Sequence, residues 1–346
     1  MMSVRKDSLP QNILRTLSAG FGVRISELTA LEAFENFVYA FRSEGVDKIL
    51  RISHCSHRSR EALQAELDWI QFMRGSGARI AAFVPTLEGD FILESPDGRY
   101  LAVALEKVKG VPVHLPQSSH LWRPELYREW GRTVGEFHRL SSRYTPSSKV
   151  PARMHWDEDP YVRDWEAMAA SEGADLQTVW RELQSQFDEA ERCVENYGLI
   201  HGDLHAKNFF WNQGHLEVFD TDDCLYNWFV ADIACILTSL ALSPRSEPDS
   251  KTFVKQFLYH FGAGYSQEFS LAAEEIRRLP LFLRHRELVV LGALCHKWDF
   301  SRLSEAQDAL IRRLRGTGGR RRALVDLTEQ QWLEAFTGRA EPHSSS

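Results

Sequence analysis

The stretch from Leu199 to Ala234 constrains this chain most, because it threads charged side chains between apolar runs. His201-Gly202-Asp203-Leu204-His205-Ala206-Lys207-Asn208 reads as a loop of turn-forming and polar residues. Phe209-Phe210-Trp211 follows, then a turn at Asn212-Gln213-Gly214 and a short strand, Leu216 to Phe219, that ends in Asp220, Asp222 and Asp223. Leu199-Ile200 and Val218-Phe219 set these carboxylates beside buried positions. A buried carboxylate without a partner is expensive, so partners are expected. Asn208 lies five positions after Asp203, so one loop can aim both side chains at one cleft; Asp220 lies seventeen after Asp203, enough for a returning strand.

Phosphoryl transfer from a nucleotide needs this set of groups. One Asp accepts or orients the attacking hydroxyl, and an Asn with a second Asp holds magnesium on the phosphates. Asp203, Asn208 and Asp220 suit those roles. Magnesium is hard, prefers oxygen and keeps several waters, so one or two carboxylates and an amide suffice beside the phosphates. A solvated turn accounts for any one of these residues but poorly for the whole set. A zinc site at His201, His205, His215 and Cys224 is not expected, because Gly202 and Asp203 put the first pair in a loop and no second pair follows.

The stretch resembles the catalytic and metal-binding segments of the aminoglycoside phosphotransferase family, which includes choline-kinase-like, homoserine-kinase-like and bacterial stress-response kinases. The resemblance implies an α+β, bilobal protein-kinase-like fold. A small antiparallel-sheet amino-terminal lobe with one main helix, residues 1–109, would bind the nucleotide. A larger, mostly helical lobe, residues 110–346, would carry the catalytic loop, metal site and acceptor pocket. ATP and Mg2+ are the implied cofactors, with Asp203 as catalytic base and Asn208 and Asp220 as metal ligands. Asp232 in Ala231-Asp232-Ile233-Ala234 would be the structural acid bracing the loop, and His201 a scaffold residue. Asp222 is expected in the metal shell or the acceptor site, and Asp223 as a cap on the next segment.

Upstream, Asn36–Phe41 and Asp47–Ser53 read as strands joined through Ser43-Glu44-Gly45. In a kinase-like lobe the third strand carries the cation that grips the phosphates, and here that cation is Arg51. Arg keeps the charge of the usual Lys but changes the geometry. Ala30 to Asn36 contains no glycine, which argues against an ordinary protein kinase. From Ser59 to Arg74 an apolar stripe of Leu63, Leu67, Ile70 and Met73 recurs at helical spacing, and Glu66 falls within it. An inward carboxylate needs a cation, so Glu66 is expected to pair with Arg51. Asp90–Glu94 and Tyr100–Val108 read as strands around a Pro96-Asp97-Gly98 turn, followed by a hinge at Lys109-Gly110-Val111-Pro112. The resemblance assigns the adenine edge to the backbone of Glu106 to Val108.

Beyond residue 113 the pattern is helical: Pro124–Ser141, Asp159–Ala170, Leu176–Tyr197, then segments near Asp249–Phe261, Glu268–Arg278, Leu281–Trp298, Ser304–Leu314 and Thr328–Phe336. His138 is read as a packing residue. Trp156, Trp165 and Asp157 to Asp159 suit either helix packing or a pocket for an amino-bearing acceptor. Arg312, Arg313, Arg315 and Arg320–Arg322 are read as an exposed loop around Gly316, Gly318 and Gly319. A chain of 346 residues, 43% hydrophobic, is long enough for two cores, and a formal charge of −7 argues against nucleic acid as partner. Five scattered cysteines, no CxxC pair and no signal peptide point to a reducing, cytoplasmic location. Trp228–Leu242 is apolar but interrupted by Asp232 and too short for a membrane span. The expectation is a kinase, monomer or homodimer, acting on a hydroxyl of a small molecule, with a stress-response Ser/Thr protein kinase or an idle nucleotide-binding scaffold as alternatives.

Overall fold

The computed structural model describes residues 9–33, 35–113, 118–243, 250–319, 324–325 and 327–337. The chain divides into two units, the first comprising Met1–Gly110, Thr145–Arg153 and Glu217–Asp222, the second Val111–Tyr144, Met154–Leu216 and Asp223–Ser346. The expected division near residue 110 is therefore accompanied by two downstream stretches that join the first unit.

The first unit holds α1 (Gln11–Gly20), β1 (Thr29–Leu31), β2 (Phe37–Ser43), β3 (Val46–His54), α2 (Arg60–Gly75), β4 (Phe83–Val84), β5 (Leu93–Glu94) and β6 (Tyr100–Glu106). The strands pair antiparallel in the order β1-β2-β3-β6-β4, with β5 also on β6. The β2–β3 hairpin turns through Glu44 and Gly45, both with positive φ (53° and 79°), the mirror-image turn whose twist matches that of the strands. Alternate strand residues Phe41, Leu50, Ile52, Ala102 and Ala104 close a core with Ile13, Leu14 and Leu17 of α1. Ser59 caps α2 by accepting the Ala62 amide, and Leu63, Glu66, Ile70 and Met73 face inward. Glu217–Asp222 joins this unit through a parallel bridge between Ile80 and Val218 and an ion pair of Arg79 with Glu217.

The second unit is mostly helical, with small sheets between its helices. It contains β7 (Val111–Pro112), α3 (Pro124–Ser141), α4 (Pro160–Arg163), α5 (Trp165–Met168), α6 (Ala174–Asp188), β8 (Tyr197–Ile200), β9 (Phe209–Asn212) and the start of β10 (His215–Val218). Then come β11 (Leu225–Trp228), α7 (Phe229–Leu242), α8 (Ser250–Tyr265), α9 (Ala273–Arg277), α10 (Leu279–Lys297), α11 (Glu305–Gly319) and α12 (Glu329–Thr337). Proline opens α3, whose stripe of Leu126, Trp130, Val134, Phe137 and Leu140 is fully inside. No helix among the described residues is long and apolar enough to cross a membrane.

Several expected helices are shorter or broken. Asp159–Ala170 divides into α4 and α5 at Asp164, because Asp159 caps the first piece and both pieces turn to bury Val162 and Trp165. The helix expected to reach Tyr197 stops at Asp188. Asn196 accepts the Cys193 amide to close a turn, and Tyr197 enters β8, paired with β11. Glu268–Arg278 contributes only α9. The arginine-rich segment is helix rather than loop as far as Gly319, with Arg312 paired to Asp308 one turn back and Arg315 to Glu172. Arg320–Arg322 and the polar tail from residue 341 lie outside the described residues.

Helices α3 and α8 meet at glycines. A Cβ on Gly131 would lie 1.8 Å from the Phe261 carbonyl oxygen, and one on Gly264 1.8 Å from that of Arg128. Backbone cannot yield as a flexible side chain does. Gly131→Ala is therefore expected to destabilise the protein by about 1–3 kcal/mol, the usual cost of overpacking. Urea unfolding measures this, and an unchanged midpoint would contradict the close crossing.

Candidate functional site

In the first unit the charged side chains form one buried network. Arg51 Nη1 and Nη2 donate to Glu66 Oε1 and Oε2 at 3.1 and 2.6 Å, a two-pronged ion pair almost sealed from water. The Thr221 hydroxyl donates to Glu66 Oε1 at 2.6 Å. Arg51 Nε–H has no partner among the described residues. Asp222 Oδ1 accepts from Arg58 Nε at 3.0 Å and lies 3.7 Å from Arg51, while Oδ2 accepts from Asn36 at 3.0 Å and lies 3.3 Å from His57 Nε2. Its backbone carbonyl accepts from Arg153. Burial opposes the Asp222 charge, but Arg51, Arg58 and His57 outweigh it and hold the carboxyl well below the ordinary range. Both oxygens of Asp222 thus serve this network. Asp220, two residues earlier, is exposed and left-handed, with φ of 63°. Such a backbone is uncommon outside glycine, and Asp is among the residues that tolerate it.

The loop after β8 supplies the second unit's cluster. Gly202 has φ of 79°, and a Cβ there would come within 2.5 Å of the Asp223 carbonyl oxygen, so only glycine makes this turn. Asp232, in the first turn of α7, accepts the amide of Gly202 at 2.8 Å and that of His201 at 3.2 Å. His138 stands 3.3 Å from the same carboxylate, stacks on Phe229 and shares a 2.7 Å hydrogen bond with the Tyr265 hydroxyl. His201 is fully buried, and its Nδ1 accepts the Asp203 amide.

Asp203 itself is half-buried. Asn208 Nδ2 donates to its Oδ2 at 3.2 Å and to its backbone carbonyl at 2.8 Å. Both partners are acceptors, so the Asn208 amide oxygen faces the other way. His205 Nε2 lies 3.4 Å from Oδ2. Arg286, from α10, donates to Oδ1 at 2.8 Å, and Cys235 Sγ is 3.6 Å from the same oxygen.

Neither Arg286 nor the Asn36, His57 and Arg58 partners of Asp222 is expected from sequence. For Arg286 the available signal was a polar run, Arg284-His285-Arg286-Glu287, between the apolar stretches Leu279–Leu283 and Leu288–Leu294. The other partners sit in polar runs without periodicity. Trp156 and Trp165 are core residues, packing on Phe187 and Trp228 and on Trp180 respectively. At the segment expected to meet adenine, the Glu106 amide donates to the Ala82 carbonyl at 2.8 Å and the Lys107 amide to that of Asp47 at 3.0 Å. Val108 is partly buried.

Comparison with known proteins converges on one family. The profile of the phosphotransferase enzyme family matches residues 27–269. The amicoumacin kinase of Bacillus subtilis (strain 168) is 30% identical over 322 residues, covering 90% of this chain and 94% of that protein. The solved structure of the amicoumacin kinase hAmiN, in complex with AMP-PNP, Ca2+ and Ami, is similar at a TM-score of 0.87 and 28% identity, covering 93% of this chain and 96% of that one. A microcompartment-associated aminopropanol kinase shares the fold at a TM-score of 0.71 and 22% identity, covering 89% and 95%.

Asp232 generates a pH prediction. Burial raises its carboxyl, but the hydrogen bond and charge of His138, the charge of His201 and the Gly202 amide together hold it below the ordinary value. A carboxyl depressed in the folded state stabilises fully above its unfolded value of about 4, and that contribution is lost as pH falls below it. Asp232→Asn is expected to cost about 3 kcal/mol at pH 7, the scale for breaking a buried pair, with the gap to wild type narrowing toward pH 3. Urea unfolding across that range checks it; a gap independent of pH counts against the account.

Proposed function

Since the chain belongs to the phosphotransferase enzyme family, we propose that it transfers the γ-phosphoryl group of ATP to a hydroxyl of a small molecule, amicoumacin or an amino-bearing compound like it. The reading is carried by one observation: 30% identity to an amicoumacin kinase along 94% of that protein's length. Similarity of that extent spans the helical region as well as the loop that holds Asp203. The first unit would bind the nucleotide, and the helical unit the acceptor. Asp159 and Asp223, whose carboxylates act on Arg286 along with that of Asp203, supply the negative surroundings that suit an amine.

Asp203 would accept or orient the acceptor hydroxyl. Its carboxylate is held in place from both oxygens, which is the positioning a loose phosphoryl-transfer transition state rewards. Asn208 and Asp220 would hold Mg2+. The donor set fits a hard ion: an amide oxygen turned away from Asp203 and an exposed carboxylate on a constrained backbone. The metal, when bound, neutralises phosphate charge. Arg51, steadied by Glu66, would meet the nucleotide phosphates. The backbone of Glu106 to Val108 would read the adenine edge. His201, Asp222 and Asp232 would act from behind, holding the loop and the arginine in place.

Asp203→Asn is expected to lower kcat about 10²–10⁴-fold while leaving nucleotide affinity nearly unchanged, since a general base contributes on that order. Wild-type turnover in this variant would refute the assignment. Asp220→Ala is expected to weaken Mg2+-dependent nucleotide binding in a magnesium titration, and unchanged affinity would remove Asp220 from the metal site. For the acceptor, ATP consumption is measured with amicoumacin and with a panel of amino alcohols, and products are weighed by mass spectrometry. Gain of one phosphoryl group on amicoumacin supports the reading. Phosphate found only on protein would instead favour a protein kinase.

A further inference from the structure

We propose that Arg286 donates hydrogen bonds to the phosphoryl group as it passes to the hydroxyl held at Asp203, and so acts as a second catalytic group for transfer. This rests on the role given above to Asp203.

Two arginines of this molecule meet carboxylates in different ways. Arg51 spends both terminal nitrogens on Glu66, in the fork-to-fork geometry of a structural pair, with its side chain 4% exposed. Among the described residues the Arg286 side chain makes one hydrogen bond, from Nη2 to Asp203 Oδ1, and it is 31% exposed. A guanidinium has five N–H donors, so most of those on Arg286 remain for a ligand beside the same carboxylate.

The arginine is fixed at its base. Its neighbour His285 stacks on Trp180, the Trp165 indole N–H donates to the Leu288 carbonyl at 2.6 Å, and Gly292 lies so close to Trp165 that a Cβ would approach within 2.6 Å. Helix α10 is therefore clamped on both sides of Arg286. The charge is equally secure: burial opposes it, but the carboxylates of Asp203, Asp223 and Asp159 keep the guanidinium protonated.

The chemistry needs such a group. The acceptor oxygen forms a bond to the γ-phosphorus, the bond from that phosphorus to the ADP oxygen breaks with its electron pair, and the hydroxyl proton goes to Asp203. Asp203 and the phosphoryl group are both anionic, yet a single oxygen must lie between them. An acceptor hydroxyl bound to Asp203 at about 2.7 Å stands within reach of the remaining Arg286 donors. Those donors meet the negative charge spread over the phosphoryl oxygens in the transition state.

The test compares wild type, Arg286→Ala, Arg286→Lys and Asp203→Asn, with amicoumacin as acceptor and slow hydrolysis of MgATP as a second readout. Arg286→Ala is expected to lose about 10²–10³-fold in kcat, as removal of one preorganised donor does, with KM for ATP and acceptor changed less than about threefold. Millimolar guanidinium should restore part of that kcat to Arg286→Ala and none to Asp203→Asn, and Arg286→Lys should fall between. A rise in acceptor KM at constant kcat would make Arg286 an acceptor contact and overturn the proposal. Loss of thermal stability without guanidinium rescue would make it a structural residue and overturn it equally. Full turnover by Asp203→Asn would instead sink the underlying role of Asp203, whereas an inactive Asp203→Asn beside a fully active Arg286→Ala sinks only the present inference.

Discussion

A carboxylate taken out of water must be met by donors, and each unit of this protein is arranged around one such group. In the first unit it is Asp222, with Arg51, Arg58, His57 and Asn36 around it. In the second it is Asp232, with two loop amides and His138. Both acids keep their charge against burial because the surrounding donors outweigh the desolvation cost. Both networks reach upstream along the chain, over different distances. Asp222 gathers residues far upstream, while Asp232 ties the start of a helix to the loop that precedes it.

Within each unit, then, buried polar groups hold the candidate residues by pairing with them. Glu66 shows the logic. It is enclosed, and its oxygens are filled by Arg51 and Thr221, so the arginine side chain is held in one orientation. Asp203 is held by Asn208 and Arg286. Such preorganisation suits phosphoryl transfer, where positioning and charge neutralisation matter more than covalent chemistry.

Much of this was legible in the residues. The Glu44-Gly45 hairpin, the helix capped by Ser59 and the helix opened by Pro124 all follow local rules, and the structure has them at nearly the expected residues. The pairing of Glu66 with Arg51 was also readable, because a lone carboxylate in an apolar stripe demands a cation and β3 offers one. Where local signals conflicted with packing, packing won. Asp159–Ala170 has helical composition but breaks at Asp164 to bury Val162 and Trp165, and the residues before Tyr197 leave the helix because β11 offers a strand partner.

The sequence alone determined the family, the mixed α+β character, and the loop and acids proposed for phosphoryl transfer, since short-range spacing and side-chain chemistry are written directly in the chain. Only the tertiary structure decided which groups neutralise those acids. Arg286 follows Asp203 by 83 positions, and Arg58 precedes Asp222 by 164. No periodicity links residues so far apart; they meet because folding buries charge only where an opposite charge can reach it.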